Sequence, residues 1–290
     1  MTSVKNYLSL IKFSHTIFAM PFALIGFFVG VLSLERIPWL KIQTQFVDEP
    51  FEKMSAYLRT HWYVFVLVIL CMVFARSAAM AFNRYLDRRF DAKNPRTAIR
   101  EIPAGVISAQ SALAFTVLMC LLFVATTWFI NPICFYLSFV ALAVVLGYSY
   151  TKRFTPLCHL ILGLGLSLAP IGAYLAVTGK FALLPILFSF AVIFWVSGID
   201  IIYALQDEEF DRQHELYSIP SWLGKARALR VSELLHLFSA ACVIGAGIYG
   251  GFSWFYWVGC TVFIGMLVYQ HSLVRPTDLS RVNLAFMTAN

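Results

Sequence analysis

Apolar residues run along this chain in eight stretches, at about 8–33, 62–82, 111–130, 132–150, 158–178, 181–205, 231–249 and 252–273. At a rise of about 1.5 Å per residue, about 20 residues cross the hydrocarbon core of a bilayer, so each stretch predicts a spanning α-helix. Pro21, Pro170, Pro185, Gly163 and Gly165 fall inside these stretches. Membrane helices tolerate both residue types better than soluble helices do. The first stretch is too long for a signal peptide and lacks a small-residue cleavage site, so it reads as the first span. The second and sixth stretches end on no helix breaker: they continue into FNRYLDRRFD (82–91) and ALQDEEFDRQ (204–213). Both are expected to remain helical into these charged segments. Charge inside lipid costs roughly 2.5 to 3.5 kcal/mol per group on insertion scales, so the acids there need a reason.

Composition places the whole chain in the membrane. Its 290 residues are 60% hydrophobic and 13% charged, against about 25% charged in soluble domains. A single transmembrane domain is expected over residues 1–290. The formal charge of +7 would suit nucleic acid, but a mean hydropathy of +0.76 argues against such a partner. Topology explains the charge better. Arg84, Arg88, Arg89, Lys93, Arg96 and Arg100 crowd one connection, Lys152 and Arg153 the next on the same side, and Arg212, Lys225, Arg227 and Arg230 the third. The opposite connections carry little beyond Lys180, apart from 34–61, whose Arg36, Lys41, Lys53 and Arg59 are offset by four acids. Positive residues gather on the cytoplasmic side, so the N-terminus and the three basic connections are expected there, in the inner membrane. The 34–61 segment is long for such a bundle and is read as an amphipathic stretch on the outer surface, or as a tolerated insertion. Six cysteines scattered singly give neither a disulfide framework nor a metal site. The six histidines show no ligand spacing, and a structural role is expected for each.

Asn83, Asp87 and Asp91 stand at i, i+4 and i+8. At about 100° per residue they share an arc of roughly 80° on one helix. In DIIYALQDEEFD (200–211), Asp200, Tyr203, Asp207 and Asp211 share an arc of the same width if the helix is unbroken. The residues after each stripe also match: REIPAG (100–105) and YSIPSWLG (217–224) repeat an I-P turn closed by glycine. Such an echo is the mark of internal duplication around a membrane site. Carboxylates so arranged repel unless a cation lies among them. Their hard oxygens suit Mg²⁺, which takes one or two carboxylates, keeps waters and bridges to phosphates. Arg84, Arg88, Arg96, Lys152 and Arg153 would neutralise what remains of a diphosphate's charge. No Walker-type glycine loop is present, which disfavours nucleotide phosphoryl transfer. Asp200 lies roughly 10 Å deeper along the axis than Asp207, better placed for an organic substrate than for the same ion. Arg76 also lies within a span, either pairing with an aspartate or binding an acceptor carboxylate, or in a structural role.

With these residues in view, the chain resembles the UbiA family of intramembrane aromatic prenyltransferases. AMAFNRYLDRRFDAKNPRTAIREIPAG is similar to the family's first aspartate motif, DIIYALQDEEFD to its second, and YSYTKRFT (148–155) to its basic turn. The resemblance implies an all-α, polytopic bundle of nine helices around a cavity open sideways to lipid. Eight spans are expected here, the ninth being missing or truncated, because 282–290 resembles only the start of the family's last helix. It implies Mg²⁺-dependent transfer of a polyprenyl group from polyprenyl diphosphate to a ring carbon of an aromatic acid acceptor, within the lipid bilayer. The acceptor expected is 4-hydroxybenzoate or a dihydroxynaphthoate, for ubiquinone or menaquinone biosynthesis. It assigns Asn83, Asp87 and Asp91 to one Mg²⁺, and Asp207 and Asp211 to a second. Asp200 then serves the acceptor end, with Asp87 and Asp207 also counted as catalytic. Arg84, Arg88, Tyr148, Lys152, Arg153 and Tyr203 are the expected substrate contacts. Two further departures stand out: Arg84 occupies a position where many members have another acid, and the 34–61 segment is longer than usual. A cation-coupled transporter using intramembrane aspartates is the alternative. Against it, the acids cluster at one surface rather than the midplane, beside arginine-rich loops.

Overall fold

The computed structural model describes residues 4–34 and 50–287, with side chains for all of these except 13–19 and 287. Twelve α-helices are named along them: α1 (Val4–Leu10), α2 (Phe13–Ser33), α3 (Pro50–Asp91), α4 (Ala109–Trp128), α5 (Pro132–Thr151), α6 (Cys158–Thr178), α7 (Leu183–Ala204), α8 (Glu208–Gln213), α9 (Ile219–Leu223), α10 (Lys225–Gly250), α11 (Trp254–Leu273) and α12 (Val282–Met287). The fold is all-α as expected, and the eight apolar stretches coincide with α2 to α7, α10 and α11. By length and apolar content, six helices among the described residues can cross a membrane: α3 to α6, α7 with its extension, and α10. α2 adds an apolar stretch at Met20–Ser33. α11 is less apolar because Trp254, Tyr256 and Trp257 sit at one end and Gln270 and His271 at the other; aromatic rings suit the membrane–water boundary.

The chain divides into two compact units, Met1–Ser149 with Leu168–Pro185, and Tyr150–Ser167 with Ile186–Asn290. In the first, Ala23, Phe27 and Val31 from α2 recur every four residues and pack against Tyr57, Val64 and Val68 of α3 and Ala173 and Ala176 of α6. That is the i, i+4 rule producing one buried face. A second cluster, Leu10, Ile11, Ala81, Ile107 and Ala112, packs α1 and the start of α4 around the end of α3 that carries the first aspartates. In the second unit, Ile201 and Ile202 at the end of α7, with Leu205 just beyond it, pack with Ile219, Ala228, Leu229, Val282 and Ala285. Serine hydroxyls bind its helices to one another: Ser197 Oγ donates to the His159 carbonyl at 3.0 Å, Ser232 Oγ to Gly198 at 2.7 Å, and Ser239 Oγ to Ala191 at 2.8 Å. Interhelical hydrogen bonds of this kind replace the hydrophobic drive that lipid removes.

Three boundaries differ from the sequence expectation. The first span does not begin within a continuous helix from residue 8: α1 ends at Leu10, and Lys12 takes a left-handed φ of 47°. This turn buries Leu10 and Ile11 while Lys12 is exposed. The second helix starts at Pro50, not 62, and bends at His61 (φ −124°, ψ 27°). Thr60 Oγ1 there reaches back to the carbonyls of Ala56 and Tyr57 at 3.1 and 3.2 Å, the back-bonding that bends helices. The amphipathic stretch expected over 34–61 is therefore helical from 50 onward, and its remainder, 35–49, lies outside the described residues, as do 288–290. Most consequential, α7 does not continue into ALQDEEFDRQ. Leu205–Asp207 form a 3₁₀ turn, and α8 starts at Glu208. Acids extending a long helix's C-terminal end would meet its negative pole, whereas the break places Glu208, Glu209 and Asp211 in the first turn of a new helix.

The glycines that close the two I-P turns share a physical cause. Gly105 has φ 73° and Gly224 φ 78°, a region that side chains with a Cβ rarely enter. The turn at 218–221 is also held by a capping box between Ser218 and Ser221.

Candidate active site

In the first unit, α3 stays unbroken from its bend at His61 to Asp91, so Asn83, Asp87 and Asp91 do lie on one face. Asn83 Nδ2 donates to Asp87 Oδ2 at 3.2 Å and to Ser149 Oγ at 3.5 Å. This fixes the amide with its oxygen directed away from Asp87. Asp91, buried at the helix's negative end, is disfavoured there unless a cation is near. Arg100 supplies one, with its guanidinium 2.7 Å from Oδ1. Thr97 Oγ1 donates to the Asp91 carbonyl at 3.1 Å. The second oxygen, Asp91 Oδ2, is buried and makes no hydrogen bond.

The arginines of FNRYLDRRFD do not behave alike. Arg84 is buried within electrostatic range of Asp91, Glu101, Arg100 and Tyr148, and its Nε makes no hydrogen bond. Arg88 folds back, donating to the Tyr85 carbonyl at 2.5 Å, with its guanidinium 4.4 Å from the centre of the Tyr85 ring. Only Arg89 is exposed. Arg76 is largely buried near Tyr148, and its Nε likewise makes no hydrogen bond.

In the second unit, Lys152 Nζ lies 2.7 Å from Asp211 Oδ1, whose side chain is only 1% exposed. The Ser218 hydroxyl is the other neighbour of this buried carboxylate. The basic turn and the I-P turn are joined by their backbones: Tyr217 N–H donates to the Lys152 carbonyl at 2.7 Å. Arg153 places its guanidinium 5.5 Å from the centre of the Tyr150 ring. Asp200 and Tyr203 belong to α7, Asp207 to the 3₁₀ turn and Asp211 to α8, so the four do not sit on one continuous α-helix. Tyr203 packs its ring on Phe286 of α12, with centroids 4.4 Å apart. Asp200 is engaged by a residue to which the sequence assigns no function: His159 Nδ1 lies 2.6 Å from Asp200 Oδ2. Arg100 and Ser149 are likewise absent from the residues expected on sequence grounds. The signal available for His159 is its position in an apolar span, since a buried imidazole requires a partner.

Whether a metal suits these residues depends on their unsatisfied atoms. Asp91 Oδ2 is buried with no hydrogen bond, and the buried Asp211 carboxylate has only Lys152 and the Ser218 hydroxyl beside it, arrangements that are costly unless a cation completes them. Among the described residues no group of three His, Cys, Asp or Glu could cage a metal ion. An ion held by either set would take one or two carboxylates, with water and phosphate filling the remaining positions, a coordination that Mg²⁺ accepts.

Residues 54–290 match the UbiA prenyltransferase family. The 4-hydroxybenzoate octaprenyltransferase of Alcanivorax borkumensis is 31% identical over 255 residues, covering 83% of this chain and 88% of that protein. That of Aeromonas salmonicida is 30% identical over 232 residues, covering 78% and 77%. Among solved structures, the apo UbiA homologue from Aeropyrum pernix superposes with a TM-score of 0.79 at 28% identity, over 95% of this chain and 94% of that one. The UbiA homologue from Archaeoglobus fulgidus bound to GPP and Mg²⁺ shares the fold, with a TM-score of 0.72 at 20% identity over 98% and 94%. This chain, an integral multi-pass membrane prenyltransferase, belongs to the UbiA prenyltransferase family.

Proposed function

We propose that the protein transfers a polyprenyl group from polyprenyl diphosphate to a ring carbon of a hydroxylated aromatic acid, in quinone biosynthesis, with Mg²⁺ as the metal and its site on the cytoplasmic side of the inner membrane. The observation that carries this reading is the pair of carboxylate sets, each with a buried carboxylate beside a basic side chain: Asp91 with Arg100, and Asp211 with Lys152. Asn83, Asp87 and Asp91 would hold one ion, and Asp207 and Asp211 another. When bound, Mg²⁺ supplies Lewis-acid charge compensation to the departing diphosphate.

The chain's own residues do the rest. Lys152 and Arg153 bind diphosphate oxygens, and Arg84 lies within electrostatic range of Asp91 and Glu101 and offsets their negative charge. Asp200 accepts a hydrogen bond from the acceptor hydroxyl, orienting the ring. The allylic C–O bond breaks, a ring carbon forms the new C–C bond, and the ring proton passes to water. Apolar helix walls keep water from the allylic cation until then. 4-Hydroxybenzoate is the acceptor favoured by the names of the relatives, and a dihydroxynaphthoate is the competing one.

Purified protein with Mg²⁺, geranyl diphosphate and a panel of aromatic acids tests this. The expected result is C-prenylated 4-hydroxybenzoate, identified by mass spectrometry and NMR. Exclusive prenylation of a dihydroxynaphthoate would replace the acceptor while leaving the chemistry intact.

A further inference from the structure

His159 has no part in the family resemblance drawn from the sequence, yet it is among the most tightly held side chains of the second unit. It is 3% exposed. Both ring nitrogens are engaged: Nδ1 lies 2.6 Å from Asp200 Oδ2, and Nε2 faces the Ile219 backbone N–H at 3.3 Å. A backbone N–H can only donate, so Nε2 must accept, and the ring carries its proton on Nδ1 and donates it to Asp200. The tautomer is thus set by the I-P turn. That turn is rigid by construction, with its Ser218–Ser221 capping box and its Tyr217 N–H bond to the Lys152 carbonyl. Ser197 Oγ, donating to the His159 carbonyl at 3.0 Å, fixes the backbone behind the ring.

Asp200 is held on one side only. Its side chain is 29% exposed where His159 is 3%, so one carboxylate oxygen is clamped and the carboxylate still has an open side. We infer that His159 is a positioning residue, which uses the Ile219 N–H to hold Asp200 in the orientation that receives the aromatic acceptor. The inference rests on the acceptor role proposed for Asp200 and adds the residue through which the I-P turn reaches it. The second I-P turn thereby supplies a fixed backbone donor, as well as closing a loop, to the machinery around the acceptor.

A role through Asp200 differs from simple packing in what it disturbs. H159A leaves Asp200 free to rotate, and kcat/KM for the aromatic acid should fall about 10–100-fold, the usual effect of losing an orienting partner. The KM for geranyl diphosphate should not change. H159N returns an N–H near the Nδ1 position and should recover much of the loss, whereas H159L, similar in bulk and without a donor, should not. In ¹⁵N-histidine spectra of the whole protein in detergent, one ring should show the Nδ1–H tautomer and change in D200N. H159A with wild-type kcat/KM for the acceptor overturns the inference and leaves the proposed function standing. So does a loss shared equally by the diphosphate KM and not recovered by H159N. A wild-type protein that prenylates no aromatic acid overturns the proposed function and this inference with it.

Discussion

Asp211→Asn is expected to lower prenyl transfer by about 10²–10³-fold, the scale seen when one preorganised electrostatic group is removed from a transition state. The side chain is fully buried, with Lys152 2.7 Å from Oδ1 and the Ser218 hydroxyl as the other neighbour of the carboxylate. Asparagine keeps the volume and removes the charge that would hold an ion. It also weakens the ion pair with Lys152, which tends to tighten the diphosphate while the metal is lost. The rate should therefore fall much more than affinity for the diphosphate. Steady-state kinetics with geranyl diphosphate, together with a thermal melt in detergent to show that the variant is folded, read both. A folded variant turning over at the wild-type rate would remove Asp211 from the reaction.

Chelation is the second large effect. EDTA should abolish transfer within the mixing time, and added Mg²⁺ should restore it. Fast loss is expected of an ion that takes only one or two carboxylates from the protein and fills its other positions with water and phosphate. Unchanged turnover in EDTA would exclude the metal role assigned to both aspartate sets.

Much of this was legible because two periods hold over long distances. Twenty-residue apolar stretches located the eight long helices, since length across lipid is a hard constraint. The first aspartate stripe was legible because α3 runs on to Asp91 with no break after His61, so a period of 3.6 residues applies throughout. The second stripe is less legible for the converse reason. The 3₁₀ turn at Leu205–Asp207 shifts the phase between Asp200 and Asp211, and no glycine or proline announces it. The change is driven by where the acids sit relative to helix ends, which periodicity does not weigh. The I-P-glycine echo was visible as letters, and its cause emerged as the positive φ of Gly105 and Gly224. His159 with Asp200, and Arg100 with Asp91, join residues 41 and 9 positions apart. Such pairs depend on packing between elements, and helical spacing within one element carries no trace of them.

The central claim is that these carboxylates serve prenyl transfer rather than cation movement. The most direct measurement tracks both in one preparation: protein reconstituted in liposomes with Mg²⁺, geranyl diphosphate and 4-hydroxybenzoate, with diphosphate release, C-prenylated acid and cation flux recorded together. Diphosphate and prenylated acid should appear in equal amounts, both should be lost in Asp87→Ala and Asp207→Ala, and no flux should exceed that of empty liposomes. No prenylated acid from any aromatic acceptor, with a cation flux that the same two substitutions alter, would contradict that claim.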